Sequence, residues 1–434
     1  MRSATSTRRI SRATSASWWA RRRPNTGGTT RSSEVARASV GEPRPHVRCA
    51  QLYPVLRGAG SRATTAISRT TTRKPRDMPG IPAEDFSVWH TILTVARHAP
   101  SPHNVQPWRV QLISDDYAEL FIDGTRTLPK EDTTGAFLLS AMGMFIDAID
   151  LLAAPHGLRV EWQLHRPVQA FAAMLSQPTP PGLIPFAALR LVTQANADAS
   201  RDDPSALMLA RRTSRVSMDP TPVPDAAVAQ LATLADEWGH RYTHLSGAEL
   251  IEPIIATNID AVFHDMNVAD YHDEITGWFR FTDRSTARHR DGLDWRCMNL
   301  SRAEFWMSAR LSKVLTFKPT RFYFKRRYRS QLGHVPAIGV LSGDFFNPEN
   351  AIESGRFLLR FWLALTSLGL YLHPYGNLVT NPDAAAWFSA HTGVDRAWLV
   401  FKVGYSRTPP QSQRRALADI LVDAPVPFHS PRSA

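Results

Sequence analysis

Hydrophobic residues recur at intervals of three and four in the stretch before Pro100, which is the spacing of an amphipathic helix. Pro100 and Pro102 cannot continue a helix, so we expect it to end there. Beyond the prolines, residues 108–113 and 118–123 alternate between apolar and polar side chains, which predicts a β-hairpin. The apolar positions of the predicted helix are Phe86, Trp89, Ile92, Leu93 and Ala96.

A second helical pattern, from Gly143 to Gly157, is followed by a predicted strand over 158–164. The last third of the chain has a similar segment from Gly355 to Gly369, with the same interval between its glycines. Both helices are apolar nearly all round. The match predicts either an internal repeat, and hence two similar halves, or a chance likeness of two buried helices.

The segment 262–332 differs from its surroundings and has no counterpart in the first half. Its aromatic residues alternate with arginines, a pattern that can bind single-stranded nucleic acid by stacking. Acidic residues are scattered through it, however, and a groove that follows phosphates would exclude them. We therefore expect a lid or cap packed on a site. The residues concerned are Trp278, Phe279, Phe281, Trp295, Phe305 and Trp306, the arginines 280, 284, 288, 290 and 296, and the acidic Asp273, Glu274, Asp283, Asp291 and Asp294.

Positive charge is concentrated at the N terminus of this 434-residue chain, whose formal net charge is +12 at pH 7. Residues 1–77 hold 17 of the 51 basic residues but 3 of the 39 acidic ones, so the remainder is close to neutral. Because this segment has almost no apolar periodicity, we expect it to be disordered. Three interpretations stay open: a start codon assigned upstream of Met78, which we favour, a dispensable tail, or a targeting or nucleic-acid-binding arm.

Several classes of protein are disfavoured. The chain has two cysteines, Cys49 and Cys297, which predict neither a disulfide framework nor a cysteine metal site. So few cysteines fit a reducing compartment, and we therefore expect a cytoplasmic protein. No apolar run approaches the length of a membrane span, and the histidines lack metal-binding spacing. We therefore expect no metal, no membrane and no nucleic-acid partner.

The turn between the first predicted helix and the hairpin contains a specific motif. Residues 99–108 read A-P-S-P-H-N-V-Q-P-W and resemble, at all seven specified positions, the flavin-binding signature A-P-S-x-x-N-x-Q-P-W of the nitroreductase family. Residues 211–215, R-R-T-S-R, are similar to that family's R-x-[ST]-x-[RK] motif, and residues 402–417 to its terminal strand and closing arginine. The order of the segments over about 82–422 resembles the double-length, Acg-like subgroup.

The resemblance implies an α+β fold, a nitroreductase-like three-layer sandwich with a mixed or antiparallel sheet and helices on both sides, duplicated in one chain as a pseudo-dimer. Ordinary family members are homodimers with FMN at the subunit interface. Here the first half keeps the A-P-S turn and the second keeps R-R-T-S-R, so we expect one intact and one degenerate flavin site in a monomer or weak homodimer. We expect the tail at 1–77, the first half at 78–200, and the second half at 201–434 with the lid at 262–332. We interpret the Pro-rich segment 176–185 as the connector between the halves.

The resemblance also implies which residues bind FMN. Arginine forks and a hydroxyl suit its phosphate, and a few fixed donors on an apolar wall suit its ring. Gln106 and Trp108 could support the turn instead of contacting the flavin, and residues 373–377 could form only a tight turn. We expect His98 to cap a helix end and not to bind the ligand. Of the two arginines near the closing position, we favour Arg414. The expected set is Ser101, His103, Asn104, Gln106, Arg211, Thr213, Arg215, Tyr375, Gly376, Arg414 and Arg415.

Two functions follow from this resemblance and stay open. The first is an FMN-dependent oxidoreductase in which NAD(P)H reduces the flavin and a nitroaromatic, quinone or related acceptor takes the electrons in a ping-pong cycle. No catalytic side chain is expected, because the flavin supplies the chemistry. The alternative is a protein that sequesters FMN under a closed lid with little or no turnover.

Overall fold

The computed structural model describes residues 86–194, 203–310 and 318–422, and the predicted tail at 1–77 lies outside them. The N-terminal part of the described chain contains three helices and four strands. In chain order they are α1 (Ser87–Ala96), β1 (Trp108–Ser114), β2 (Tyr117–Asp123), α2 (Ala136–Ala153), β3 (Leu158–Leu164), α3 (Val168–Leu175) and β4 (Leu183–Thr193).

These elements confirm the local patterns of the first half. Helix α1 ends before the prolines, β1 and β2 form the antiparallel hairpin, and β3 occupies the predicted range. The interpretation of 176–185 as the connector between halves is wrong, because Leu183 already begins β4, which lies between β2 and β3. Proline is tolerated in this strand because Pro185 lies where the β2–β4 register shifts.

The rest of the described chain contains a second four-stranded sheet and most of the helices. The strand orders of the two sheets are β1-β2-β4-β3 and β5-β8-β10-β9, so the same connectivity occurs twice. The elements are α4 (Ser205–Ala210), α5 (Asp225–Glu237), β5 (Arg241–Ser246), α6 (Ala248–Asp265), α7 (Ala269–Gly277), β6 (Phe279–Arg280), α8 (Asp283–His289), β7 (Leu293–Asp294), α9 (Arg302–Arg310), α10 (Lys318–Leu332), β8 (Ala337–Ser342), α11 (Pro348–Ser367), β9 (Tyr371–Pro374), α12 (Asn377–Thr380), α13 (Pro382–Thr392), β10 (Ala397–Gly404) and α14 (Leu417–Ile420).

The two sheets differ in the hairpin between their first two strands. In the first sheet two residues, 115 and 116, join β1 to β2, whereas in the second sheet residues 247–336 separate β5 from β8. This insertion, which includes the segment 262–332, contains α6 to α10 and the short β6–β7 pair. The second half is therefore the same fold with a large excursion at one turn.

The core lies between the sheets, where helices α2 and α11 pack against each other. A Cβ on Gly143 would lie 2.1 Å from the Ile352 carbonyl oxygen, and one on Gly355 would lie 2.0 Å from that of Ser140. Only glycine permits this approach of the two backbones. The stretch Ala136–His156 is long and apolar enough to cross a membrane, but 89% of its 18-residue apolar window is buried inside the protein, where it forms this core.

The C-terminal segment returns to the first sheet. Leu421 forms a parallel bridge with Val110 on β1, and the Val422 amide donates to the Val110 carbonyl at 2.9 Å. The first sheet itself is antiparallel, as the resemblance allowed, and this single parallel bridge ties the C-terminal segment to its edge. This return also brings the segment before α14 next to the turn at 99–107.

Candidate functional site

The turn between α1 and β1 has an unusual backbone. His103, Asn104 and Gln106 have positive φ angles of 44°, 59° and 51°, a region that non-glycine residues rarely occupy. Each such residue costs on the order of 1–3 kcal/mol and persists only where its surroundings enforce it. Such strain is common at functional sites.

Hydrogen bonds from three parts of the chain hold this turn. The Gln106 amide donates to Ser101 Oγ at 3.0 Å, within the turn. The Gln106 side chain donates to the Arg290 carbonyl at 3.0 Å and accepts from the Arg415 amide at 2.9 Å. Asn104 Nδ2 donates to the carbonyls of Gly292 at 3.2 Å and Gln413 at 3.0 Å. The turn therefore joins the insertion to the C-terminal segment.

A cavity of about 310 Å³ opens beside the turn, a size that small ligands use. Both halves and the insertion contribute to its wall. The wall consists of His98, Pro100–Asn104, Leu128, Glu131, Asp132, Phe137, Ser140, Met144, Met208, Arg211–Thr213, Arg215, Gly292, Leu293, Cys297, Leu358, Trp362, Pro374, Gly376, Asn377, Thr380, Leu399, Pro410–Ser412 and Arg414.

The structure brings most of the predicted site residues to this one cavity, from segments far apart in the sequence. They come from the A-P-S turn, the R-R-T-S-R segment, the end of β9 and the C-terminal segment. The predicted residues that line the wall are Ser101, His103, Asn104, Arg211, Thr213, Arg215, Gly376 and Arg414.

Three predicted residues, Gln106, Tyr375 and Arg415, do not line the cavity. Gln106 is fully buried and its amide ties the turn together. Tyr375 is 2% exposed because its ring packs in the core beneath β10, and its amide donates to the Val400 carbonyl. Arg415 donates to the Asp419 carbonyl at the start of α14, so of the two closing arginines only Arg414 reaches the cavity.

Positive charge collects at one end of the cavity. Burial, with repulsion from Arg414 and Arg212, holds the pKa of Arg211 well below its usual range, and burial lowers that of Arg414 to about 10. Nε of both Arg211 and Arg414 is buried without a partner, and among the described residues neither guanidinium forms an ion pair with a carboxylate. Buried cations that lack a counter-charge are expensive, so this end fits an anionic ligand.

His98 also belongs to this end of the cavity, which the sequence did not indicate. Burial and the adjacent arginines, chiefly Arg414, lower the pKa of His98 to about 3, so its imidazole is neutral at physiological pH. Its backbone carbonyl accepts a hydrogen bond from Arg414 at 3.5 Å. The signal for His98 is mainly tertiary, because Arg414, Arg211 and Arg212 come from the second half and only Arg97 is its neighbour in sequence.

The remaining wall is mainly apolar and has few fixed polar groups. Trp362 and Leu358 of α11 and Met144 of α2 form its floor, and the Arg211 guanidinium lies 4.5 Å above the Trp362 ring. Asn104 Oδ1 is buried without a partner among the described residues. A flat apolar ring with a polar rim fits such a surface.

The insertion contributes Gly292, Leu293 and Cys297 to the wall. Gly292 has φ 68°, and its amide donates to the Asn104 carbonyl at 3.2 Å. Burial, reinforced by Asp294, raises the pKa of the Cys297 thiol to about 12, so it stays protonated. The segment predicted to be a lid therefore forms part of the cavity itself.

Two acidic residues on the wall were missed by sequence reasoning, since no motif marks them. Glu131 accepts a hydrogen bond from His103 Nε2. Asp132 accepts from the amides of Phe137 at 3.2 Å and Leu138 at 2.8 Å at the start of α2, and burial raises its pKa to about 6.

The comparisons with known proteins all find nitroreductases. The model of the Nitroreductase family matches residues 66–154. A probable NAD(P)H nitroreductase PigM from Serratia sp. is 25% identical over 313 residues, with 67% of this chain and 80% of the relative covered. A putative NAD(P)H nitroreductase Rv3131 from Mycobacterium tuberculosis is 27% identical over 196 residues, with 45% of this chain and 52% of the relative covered.

Among solved structures, the FMN-dependent nitroreductase NfnB from Mycobacterium smegmatis in complex with NADPH is 19% identical with a TM-score of 0.31. The superposed region covers 49% of this chain and 94% of the NfnB chain. A nitroreductase with bound FMN from Bacteroides fragilis is 13% identical with a TM-score of 0.29, and it covers 50% of this chain and 95% of its own.

The family match falls on the half of the chain that contains the A-P-S turn, and all seven specified residues of that motif are present. The match to the relative from Serratia covers 67% of the chain, which is more than either half alone. The sheet connectivity occurs twice, as a double-length member requires. On these grounds the chain is similar to the nitroreductase family and resembles its double-length members.

Proposed function

We propose that this protein is an FMN-dependent oxidoreductase that transfers electrons from NAD(P)H to a nitroaromatic, quinone or related acceptor by a ping-pong cycle. The observation that carries the proposal is the pair of buried arginines, Arg211 and Arg414, which lack a carboxylate partner among the described residues and face the same cavity as the strained turn. The relatives named as NAD(P)H nitroreductases support the nicotinamide donor.

The residues on the wall fit FMN. Arg211 and Arg414 would bind its phosphate with the Thr213 hydroxyl, because guanidinium groups match phosphate oxygens in geometry and charge. Asn104, whose Oδ1 has no partner among the described residues, would meet the polar rim of the ring, and the side chains of Met144 and Leu358 would lie against its apolar part. When bound, FMN supplies the hydride transfer.

The chain's own contribution is to bind, orient and enclose. The turn at 99–107 is fixed before any ligand arrives, since its hydrogen bonds involve Arg290, Gly292, Gln413 and Arg415. A preorganised turn loses little entropy on binding. The apolar floor and the insertion limit the access of water, which strengthens the interaction of the arginines with an anion.

The test is to compare FMN with riboflavin, which lacks the phosphate. We expect the purified protein to bind FMN at least tenfold more tightly in fluorescence titrations, because charged hydrogen bonds of this kind contribute about 1.5–3 kcal/mol each. Arg211→Met is expected to remove most of that preference and to leave riboflavin affinity unchanged. Equal affinity for both flavins in the unmodified protein, or no binding of either, would refute the proposal.

The second candidate function is sequestration of FMN, which the insertion favours because Gly292, Leu293 and Cys297 form part of the wall. A nicotinamide must stack on an open face of the flavin, and an insertion that covers that face would prevent it. Stopped-flow mixing of the FMN-loaded protein with NADPH separates the two functions. Rapid bleaching of the flavin supports the oxidoreductase, whereas a flavin that stays oxidised supports sequestration.

A further inference from the structure

His103 and Glu131 form an ion pair on the wall of the cavity. The imidazole comes from the strained turn and the carboxylate from the loop between β2 and α2. Nε2 of His103 donates to Glu131 Oε2, and the two side chains are 19% and 21% exposed. The pair is therefore enclosed by protein but open to the cavity.

The insertion fixes the position of Glu131. The backbone amides of Lys130 and Glu131 donate to the Glu274 carboxylate at 3.0 Å and 2.9 Å, and Glu274 lies on α7. The Lys130 ammonium also pairs with Asp270 on the same helix at 2.9 Å. The loop that carries Glu131 is thus held at two points by the insertion.

Three charged groups act on His103. Burial lowers the pKa of its imidazole, but the adjacent Glu131 outweighs burial, so the pKa is raised; Glu274 adds to the rise and Arg215 opposes it. With Nε2 engaged by Glu131, Nδ1 forms no hydrogen bond to any other described residue. A protonated Nδ1 is therefore free to donate to a molecule in the cavity.

The other acidic groups on the wall are poorer proton donors. His98 is neutral, since its pKa is lowered to about 3 by burial and Arg414. The Cys297 thiol, with a pKa raised to about 12 by burial, is a weak acid. The Asp132 carboxyl, whose pKa burial raises to about 6, is the nearest alternative, but both of its oxygens accept backbone amides at the start of α2, which favours the charged carboxylate.

We propose that His103, oriented by Glu131, is the proton donor to the oxygen of the molecule that is reduced in this cavity. The proposal rests on the proposed oxidoreductase function. Reduction of a quinone to a hydroquinone takes up two electrons and two protons. Both electrons and one proton would arrive as a hydride from FMN that NAD(P)H has already reduced, and His103 gives the second proton to a carbonyl oxygen. The Nδ1–H bond breaks, the O–H bond forms, and the neutral imidazole regains a proton from water.

The test measures how pH affects the oxidative half-reaction. FMN-loaded protein is reduced anaerobically with dithionite and mixed with p-benzoquinone in a stopped-flow instrument between pH 5.5 and 9. The rate is expected to fall as pH rises through the pKa of His103. His103→Gln is expected to remove this inflection and to slow the reaction about 100-fold, the lower end of the usual contribution of general acid catalysis. Glu131→Gln is expected to move the inflection to lower pH, because burial and Arg215 then dominate.

A matched control exists in the first sheet, where His165 and Glu119 form a similarly enclosed pair at 2.6 Å. Glu119→Gln should leave the inflection unchanged. A second readout needs no flavin: ¹⁵N NMR titration of the histidines should give His103 a pKa above about 6.5, and Glu131→Gln should lower it. This measurement separates a charge effect from a merely structural one.

The outcomes are distinguishable. FMN titration of every variant shows whether each still binds the cofactor. If the unmodified protein binds FMN and is reduced, but His103→Gln keeps the original inflection, the proton-donor role is overturned and the proposed function stands. If the unmodified protein binds no FMN, both are overturned.

Discussion

The packed helices α2 and α11 have two equivalent sides, which the internal repeat relates to each other. One side lines the cavity, and the other is filled by ion pairs of the chain itself. The register that aligns Gly143 with Gly355 also aligns Met144 with Arg356 and Asp150 with Trp362. Met144 and Trp362 line the cavity. Their counterparts Arg356 and Asp150 instead face each other at 3.8 Å in an ion-pair network.

That network closes the second side. Arg360 binds the Asp147 carboxylate through two nitrogens at 2.8–2.9 Å, and both Arg356 and Arg360 lie over the Trp238 ring. On the cavity side Arg211 lies over Trp362 in the same manner, but none of the described carboxylates pairs with it. A buried cation needs a counter-charge, and the two sides differ in whether the chain or a ligand provides it. This difference supports one FMN site per chain.

The largest effect is expected from removal of a cation on the closed side. Arg360→Met should lower the free energy of unfolding by about 3 kcal/mol, because Asp147 stays buried with its best partner gone. Urea denaturation measures the change. Arg190→Met is the control, since Arg190 and Asp116 form an exposed pair at 3.6 Å, and it should cost less than about 1 kcal/mol. Equal losses in both variants would contradict the comparison.

The helix contact itself can be broken by a single methyl group. Gly143→Ala should cost about 2 kcal/mol, because its Cβ would overlap the Ile352 carbonyl and the helices would have to separate. Gly277→Ala serves as the matched variant, since a Cβ there has no atom within 4 Å. Thermal unfolding should show a lower Tm for Gly143→Ala alone. We also expect its FMN affinity to fall, since α2 and α11 form the floor of the cavity.

The open side should respond in the opposite direction to the closed side. Arg211→Met is expected to stabilise the FMN-free protein by about 1 kcal/mol, because a desolvated cation without a counter-charge is replaced by an apolar side chain. The same variant should gain little stability on addition of FMN, whereas the unmodified protein should gain substantially by linkage. Urea denaturation with and without FMN measures both effects. Destabilisation of the FMN-free protein by Arg211→Met would show that Arg211 has a structural partner.

The sequence predicts the parts of this comparison that depend on local patterns. The turn at 99–108, the hairpin after it and the glycine interval of the two core helices are all visible as spacing. It leaves open whether Gln106 supports the turn or contacts the ligand, and it does not predict that Tyr375 turns inward or that Glu131 meets His103. Each of these depends on a partner distant in sequence. The prolines of 176–185 predicted a boundary between the halves, but the chain enters the central strand β4 there. Pro185 is tolerated because it lies where the register between β2 and β4 shifts.

The smallest effect concerns His98 and the pH dependence of stability. Burial and Arg414 lower its folded-state pKa to about 3, below the unfolded value of about 6.5, so the folded protein binds fewer protons between these values. Its contribution is therefore complete above pH 6.5 and is lost as pH falls toward 3. His98→Gln should flatten the stability profile in that window relative to the unmodified protein, as measured by urea denaturation at a series of pH values. A phosphate bound by Arg211 and Arg414 would favour the protonated imidazole, so FMN should reduce the acid loss of the unmodified protein. If FMN leaves that loss unchanged, its phosphate does not bind at the arginine end of the cavity.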